Sequence, residues 1–473
     1  GATAEAVVNG AGSGKRLGVS GGTAAGLSAA SKAKRTRPDL EVEVYERSGF
    51  VSYGACGLPY YVGGLVASEN DLVSLTRETL EGERGIRTFI RCEATGIDVA
   101  GKTVAVENLT SGERRDVAYD FLVLATGASP VIPELPGIRS EGVFFLRTVE
   151  DGMALRSAVR APGARTAVLV GGGFIGLEMA EQFAQNGLRV TIVEALPMPL
   201  PFLGDEYSAI VRKELEENGV RLLAGTTVDG IVSEGGRATG VRVRGEEILE
   251  ADIVVVSVGV RPNSALAEKA GLRLGVRNTI AVDETMKTSN DSIWACGDCV
   301  QTVNLVTGRP AYVPLGTTAN KQGRVAGANI VGERAAFRGV LASQATKVFS
   351  LYVASTGVSP EQAAEVGFDA GETKIVKQDR ASYYPGGRDN RIRLVYDRRS
   401  GRLLGAQAVG SESVAGRINV CATAISAGMT VGELNDVDFV YAPPVAPVYD
   451  PILIAAGSAM KGVRPGATPA DRT

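Results

Sequence analysis

Val168–Phe183 reads VLVGGGFIGLEMAEQF, and the architecture follows from this stretch. An apolar run ends at Gly171, further glycines stand at Gly173 and Gly176, and an apolar-periodic segment carrying Phe174 and Ile175 follows. The pattern predicts a strand, a tight turn and a helix. Gly171 permits the turn, Gly173 lets backbone approach a pyrophosphate, and Gly176 lets helix pack on strand. Phosphates would then sit on the helix N-terminus, where unpaired N–H groups and the dipole favour anions. Glu194 closes the next strand 18 residues after Gly176, where a carboxylate accepts from a ribose 2′-hydroxyl. No cation follows Glu194 closely to receive a 2′-phosphate, which favours NADH over NADPH. The competing reading is a glycine-rich structural turn.

A second copy of the pattern lies upstream. Arg16–Glu46 contains Gly21-Gly22-Thr23-Ala24-Ala25-Gly26, then a strand EVEVYE ending in Glu46, 20 residues after Gly26. Thr23 replaces the middle glycine, so the turn alone is a poor match. Glu46 restores the fingerprint, against a plain βαβ unit as the alternative. Duplication implies two dinucleotide sites and an α/β chain with two Rossmann-like units. A third clue is IWACGDC, Ile293–Cys299, where Asp298 could offer a carboxylate to a cofactor hydroxyl. From about Ala345 the pattern changes. Strand-like stretches Arg391–Asp397 and Leu403–Val409 flank the turn signal Ser400-Gly401, and a helix is expected over Ala415–Ala427. This is a third, α+β unit. Residues 1–14 read as a flexible leader, and the end of the chain reads as a loose tail.

Composition sets limits. The chain has 473 residues, 50 basic and 53 acidic side chains, and no histidine. The near-neutral balance gives no reason to expect nucleic acid as a partner, and no apolar run suits a membrane span. Any general acid or base must be Tyr, Cys, Lys, a carboxylate or water. Metal sites built on His are excluded, and no metal is expected. Five scattered cysteines are no disulfide framework, so a reducing, cytoplasmic setting is expected.

Cys56 stands in VSYGACGLPYYVGG, ten residues after Glu46. Small neighbours leave its sulfur open, and a helix beginning just after it would lower the thiol pKa. The residue five positions on is Tyr61, so no C-x4-C partner exists. Cys56 must therefore cycle through a mixed disulfide with an external thiol or through a sulfenic acid, unless it is an inert packing residue. Cys296 and Cys299 spell C-x-x-C but lack a second pair, and Cys92 and Cys421 read as packing residues.

Several further motifs join these: CGLPYYVGG (56–64), LVLATGASP (122–130), GGGFIGLE (171–178), SVGVRPN (257–263), ACGDC (295–299), PLGTTANKQGR (314–324), YYPGG (383–387) and YAPP (441–444). On these, from about Arg16 to Met460, the chain resembles the single-cysteine branch of the pyridine nucleotide–disulfide oxidoreductases. That group holds coenzyme A-disulfide reductases, NADH oxidases and peroxidases, and NAD(P)H persulfide or sulfur reductases.

The resemblance implies an FAD domain over 15–148 and 264–336, an NAD(P)H domain over 149–263, and a C-terminal dimerisation domain over 337–461, with a tail at 462–473. By motif match, Ser52 and Cys56 would lie near the flavin ring. Glu46, Arg47, Ala94, Ala125, Thr126, Gly127 and Asp298 would hold FAD, and Glu178 and Gly259 would line the nicotinamide site. Ala24 and Ala25 stand where peroxidases and many oxidases place a histidine, which leans toward coenzyme A-disulfide reductase. Tyr383 and Tyr441 match tyrosines that reductase-like members project across a homodimer toward the partner's cysteine. Each could instead be interface packing. Lys32, Lys34, Arg35 and Arg37 form a basic run suited to coenzyme A phosphates, with Arg35 at a ligand-contacting family position. A solvated helix end is the other reading of that run. The reaction implied is NADH- or NADPH-driven reduction of coenzyme A disulfide, persulfide or polysulfide through Cys56. An NADH oxidase and a flavin-binding redox sensor without turnover are the rivals.

Overall fold

The computed structural model describes residues 14–245 and 247–464. The leader expected over 1–14 lies outside them except for Gly14, and so does the tail beyond 464.

Two five-stranded parallel sheets follow one plan. The first runs in the order Ile293–Ala295, Phe121–Leu124, Arg16–Ser20, Glu41–Glu46, Ile86–Ile90. The second places Val143–Phe144, Ile253–Val256, Thr166–Val170, Arg189–Glu194 and Arg221–Ala224 in the matching positions. Thr166–Val170 and Ile253–Val256 are buried along their whole length, as befits parallel strands covered on both faces. In each sheet a three-stranded antiparallel meander precedes the strand that returns beside the first. These are Cys92–Asp98, Thr103–Asn108 and Arg114–Ala118 in one, and Val228–Glu234, Arg237–Val243 and Ile248–Glu250 in the other. The duplication therefore extends well past the βαβ segments from which it was read.

The first unit is closed by a later part of the chain. Helix Gly316–Ile330 lies against helix Ala24–Thr36. A Cβ at Gly323 or Gly327 would strike the Ala25 or Ala29 carbonyl oxygen, so these glycines let two helix backbones come into contact. The Gly297 N–H donates to Gln322 Oε1 at 2.9 Å, which ties the turn carrying Asp298 to the same helix.

The third unit is a five-stranded antiparallel sheet. Its order is Gln344–Val348, Leu351–Gly357, Leu403–Gly410, Asp389–Asp397, Ala370–Gln378, with helices Ser413–Ser426 and Pro451–Met460 packed on it. The expected hairpin turn is present, closed by Ser400 Oγ donating to Asp397 Oδ2 at 2.7 Å. The helix expected over Ala415–Ala427 runs from Ser413 to Ser426. The three units share a core. Leu58, Tyr61 and Val62 pack in one apolar cluster with Leu177 and Phe183 of the second unit and Val348 and Leu351 of the third. Among the described residues no helix is long and apolar enough to cross a membrane.

Candidate active site

The two glycine turns have the same construction. Gly21 and Gly171 sit at φ 115° and 112°, and a Cβ on either would collide with the backbone oxygen of Ala125 or Ser257. Only glycine fits there. Gly26 and Gly176 are likewise held against the Gly21 and Gly171 carbonyls. The middle position is less demanding. Thr23 has φ −112°, and Gly173 has φ −82° with open space around its Cβ direction. A threonine therefore replaces the middle glycine without backbone strain, which explains the degraded first motif.

The acidic ends of both second strands are also matched. Glu46 accepts from the Gly22 and Ser48 N–H groups at 2.7 and 2.8 Å. Glu194 accepts from Gly172 and Leu196 at 2.6 and 2.7 Å. Helices Ala24–Thr36 and Phe174–Gln185 begin without a side-chain cap, whereas helix Val149–Arg160 has a capping box. Uncapped first-turn N–H groups at a glycine turn suit a pyrophosphate. This cradle fits FAD at the first turn and NAD(P)H at the second, with Ala24, Ala25, Phe174 and Ile175 opening the two helices.

Of the other expected FAD residues, Ala125 and Ser52 touch the first turn directly. Ala125 abuts Gly21. Thr126 Oγ1 donates to the Asn263 carbonyl at 2.6 Å, and Asn263 Nδ2 returns a bond to the Thr126 carbonyl at 2.8 Å. Asn263 thus ties the Thr126-Gly127 loop to the chain leaving the second unit, a link visible in neither motif alone. Asp298 pairs with Arg147 at 2.6 Å. Arg47 reaches Glu93, next to Ala94, at 3.9 Å. Ser52 takes the left-handed conformation, φ 53°, while its N–H donates to the Gly22 carbonyl at 2.8 Å. Gly259, at φ 110°, lies beside open space.

Cys56 lies in the short turn Ala55–Gly57, directly before helix Leu58–Gly63. It is exposed, and Cys92, Cys296, Cys299 and Cys421 are buried and unlinked. Cys299 Sγ is turned to the Leu124 and Cys296 carbonyls. No metal-holding cluster occurs among the described residues. Tyr61, in the place of a second redox cysteine, is packed under Arg156, whose guanidinium lies 4.3 Å from the ring centre, and its hydroxyl donates to Glu69.

One expectation is corrected here. The helix after Cys56 exists, but the thiol pKa is raised. Surrounding protein desolvates the sulfur first, and the Glu178 carboxylate opposes its charge next, outweighing the pull of Arg147. A six-residue helix has too little dipole to reverse both.

Glu178 itself is held up to about 7, chiefly by burial, then by Glu181 against the bond from Thr346. Tyr60 is pushed up to about 12 by burial, then by Glu178 and Glu181. The site therefore gathers Cys56 and Tyr60 from the first unit with Glu178 from the second. Sequence reading missed Glu181, Thr346, Lys347, Arg147 and Asn263. Only Glu181 carried a signal, since it follows Glu178 by one helical turn.

Tyr383 and Tyr441 come together, with their hydroxyls 3.1 Å apart. They are 74% and 45% exposed, in a patch with Val440, Val445, Val448 and Tyr449. Their hydroxyls bond each other and are not joined to this chain's own Cys56. The basic run is mostly occupied: Lys32 pairs with Glu333 at 2.8 Å, and Lys34 donates to the Pro38 and Leu40 carbonyls. Arg37 lies 3.4 Å from Asp39. Arg35 is exposed.

The family profile described as pyridine nucleotide-disulphide oxidoreductase matches residues 15–323, and the profile of its dimerisation domain matches 343–450. An NADH oxidase of Methanocaldococcus jannaschii is 38% identical over 93% of this chain and 98% of its own length. A CoA-dependent NAD(P)H sulfur oxidoreductase of Pyrococcus furiosus is 35% identical with the same coverages. The solved structure of an NAD-dependent persulfide reductase from A. fulgidus superposes with a TM-score of 0.91 at 41% identity, covering 94% of this chain and 83% of that one.

Proposed function

This chain belongs to the pyridine nucleotide-disulphide oxidoreductase family, and from that premise we propose that it is a homodimeric enzyme that uses NAD(P)H to reduce coenzyme A disulfide or a coenzyme A persulfide at Cys56. The observation that carries the reading is the cysteine inventory. Cys56 is exposed, the other four cysteines are buried, and Tyr61 fills the place from which a second thiol would resolve a disulfide.

Bound at the first glycine turn, FAD supplies a two-electron relay between nicotinamide and sulfur. The chain's own residues do the rest. Glu46 and the uncapped helix hold the dinucleotide, and Glu194 and the second helix hold NAD(P)H. The Cys56 thiolate attacks one sulfur of RS–SR, forming Cys56–S–S–R and expelling RS⁻. The Tyr383–Tyr441 pair of a second copy, carried on the exposed apolar patch, gives the leaving thiolate its proton. Two electrons from NAD(P)H then cleave Cys56–S–S–R, restoring the Cys56 thiolate and releasing the second thiol. The sum is NAD(P)H + H⁺ + RSSR → NAD(P)⁺ + 2 RSH. For a persulfide acceptor, RSSH gives RSH and hydrogen sulfide with the same electron count. Arg35, exposed in the last turn of helix Ala24–Thr36, would meet a coenzyme A phosphate.

The test is anaerobic NADH oxidation by the FAD-loaded protein with coenzyme A disulfide, coenzyme A persulfide, glutathione disulfide or no acceptor, repeated in air. Coenzyme A acceptors should support turnover without oxygen. Turnover confined to air would replace this reading with an NADH oxidase, the activity named for the M. jannaschii relative. Glu194 makes a second expectation. It accepts from two backbone N–H groups, and no basic residue follows it in the sequence before Arg212, so a 2′-phosphate meets a carboxylate. A mismatch of ~1–3 kcal/mol predicts kcat/KM roughly five-fold to 150-fold higher for NADH than for NADPH. Equal values would show that Glu194 does not select.

A further inference from the structure

The hairpin formed by strands Gln344–Val348 and Leu351–Gly357 reaches from the third unit to the helix that carries Glu178. Thr346 Oγ1 donates to Glu178 Oε1 at 3.1 Å. One turn along that helix, Glu181 receives Lys347 Nζ at 2.5 Å and the Phe349 N–H at 2.8 Å. The contact is built with care. Thr346 is 7% exposed, and the Glu181 side chain is 4% exposed. Phe349 takes the left-handed conformation, φ 52°, unusual for a bulky side chain, and its N–H meets Glu181. The hairpin's Val348 and Leu351 share an apolar cluster with Leu58 and Val62, which follow Cys56. Packing therefore fixes the hairpin, the carboxylate helix and the cysteine turn relative to one another.

Two carboxylates one helical turn apart repel, and burial strengthens the repulsion. Lys347 and the Phe349 amide both bond to the Glu181 carboxylate. Burial favours the neutral form of Glu178, and the Thr346 bond opposes it, because a donated hydrogen bond favours the ionised form. Cys56 and Tyr60 feel that charge. The charged and titratable groups around the site are Glu181 on Glu178's own helix, Lys347 on the hairpin, Cys56 and Tyr60 on the cysteine turn and its helix, and Arg147 and Asp298 acting on Cys56. We propose that Thr346, with Lys347 and the Phe349 amide, is a positioning residue that fixes the Glu178 carboxyl, and that the dimerisation unit thereby sets how readily Cys56 becomes a thiolate. This deepens the reading of Cys56 as the reacting sulfur.

The sign follows from the charges. Ionised Glu178 opposes the Cys56 thiolate, and protonated Glu178 does not. Removing the Thr346 donor keeps Glu178 protonated to higher pH and relieves Cys56 across neutral pH. The experiment measures carbamidomethylation of Cys56 by iodoacetamide from pH 5.5 to 9.5. It uses holoenzyme pre-reduced with a phosphine and desalted, and it is read by peptide mass. Thr346→Val should move the neutral inflection upward by roughly half a pH unit or more and speed alkylation near pH 7.5. Thr346→Ser, which keeps the hydroxyl, should reproduce the parent profile. Glu178→Gln should erase the inflection, and adding Thr346→Val to it should change nothing further. Superimposable parent and Thr346→Val profiles would overturn the proposal. So would a shift shared by Thr346→Ser, or one that persists on the Glu178→Gln background. Alkylation needs no acceptor, so the result stands whichever acceptor the protein reduces.

Discussion

Cys56→Ser is expected to remove acceptor reduction, by on the order of 10⁴-fold or more, while the protein keeps FAD, remains a dimer and is still bleached by NADH. The size of the loss follows from the absence of a substitute. Cys92, Cys296, Cys299 and Cys421 are all buried, and burial pushes the Cys296 thiol far up, so none can present a thiolate. Serine nearly matches cysteine in volume, and Cys56 lies exposed in a short turn, so the substitution leaves no cavity. Its hydroxyl cannot form the Cys56–S–S–R bond. The measurement is steady-state turnover with coenzyme A disulfide beside anaerobic stopped-flow with NADH. A mutant that turns over at the parent rate would make Cys56 structural.

Tyr383→Phe and Tyr441→Phe should each slow disulfide reduction by about 10²-fold or more, the usual cost of losing a positioned acid. The chain has no histidine, and the thiolate expelled from the acceptor needs a proton. The two hydroxyls lie 3.1 Å apart, and Tyr441 is held up by the bond to Tyr383, so one phenol supports the other. The double mutant should therefore lose little more than the worse single mutant. The removed oxygens are exposed on the isolated chain, and packing is kept. Bleaching by NADH should stay at the parent rate. Normal turnover in both mutants would leave the pair as interface packing.

The legible parts of this protein were those in which geometry forces residue choice. Gly21 and Gly171 cannot carry a side chain, so both turns are written in the sequence, as are the glutamates that close the next strands. The antiparallel third unit announced itself through Ser400-Gly401. The meanders were missed because their strands are partly exposed, so they lack the continuous apolar runs of the buried parallel strands. Of the site, Cys56 and Glu178 could be found locally. Thr346 and Lys347 could not, since they act across 168 and 166 residues of chain, and a threonine in a strand looks like any other. The direction of the Cys56 pKa was misjudged for a related reason. The helix that follows is a local feature, whereas the burial and the opposing carboxylate come from folded neighbours.

Tyr61 has a consequence for what the protein retains. Where two sulfurs are neighbours, the second expels whatever the first has captured, and the captured group is lost at once. Here the position is filled by a ring clamped between Arg156 and Glu69, and the other thiols lie inside the core. A group captured on Cys56 therefore stays until electrons arrive from outside. If Cys56 is the reacting sulfur proposed above, the chain starved of nicotinamide would carry a covalent record of the sulfur compound it captured, and the mass of the intact polypeptide would identify that compound.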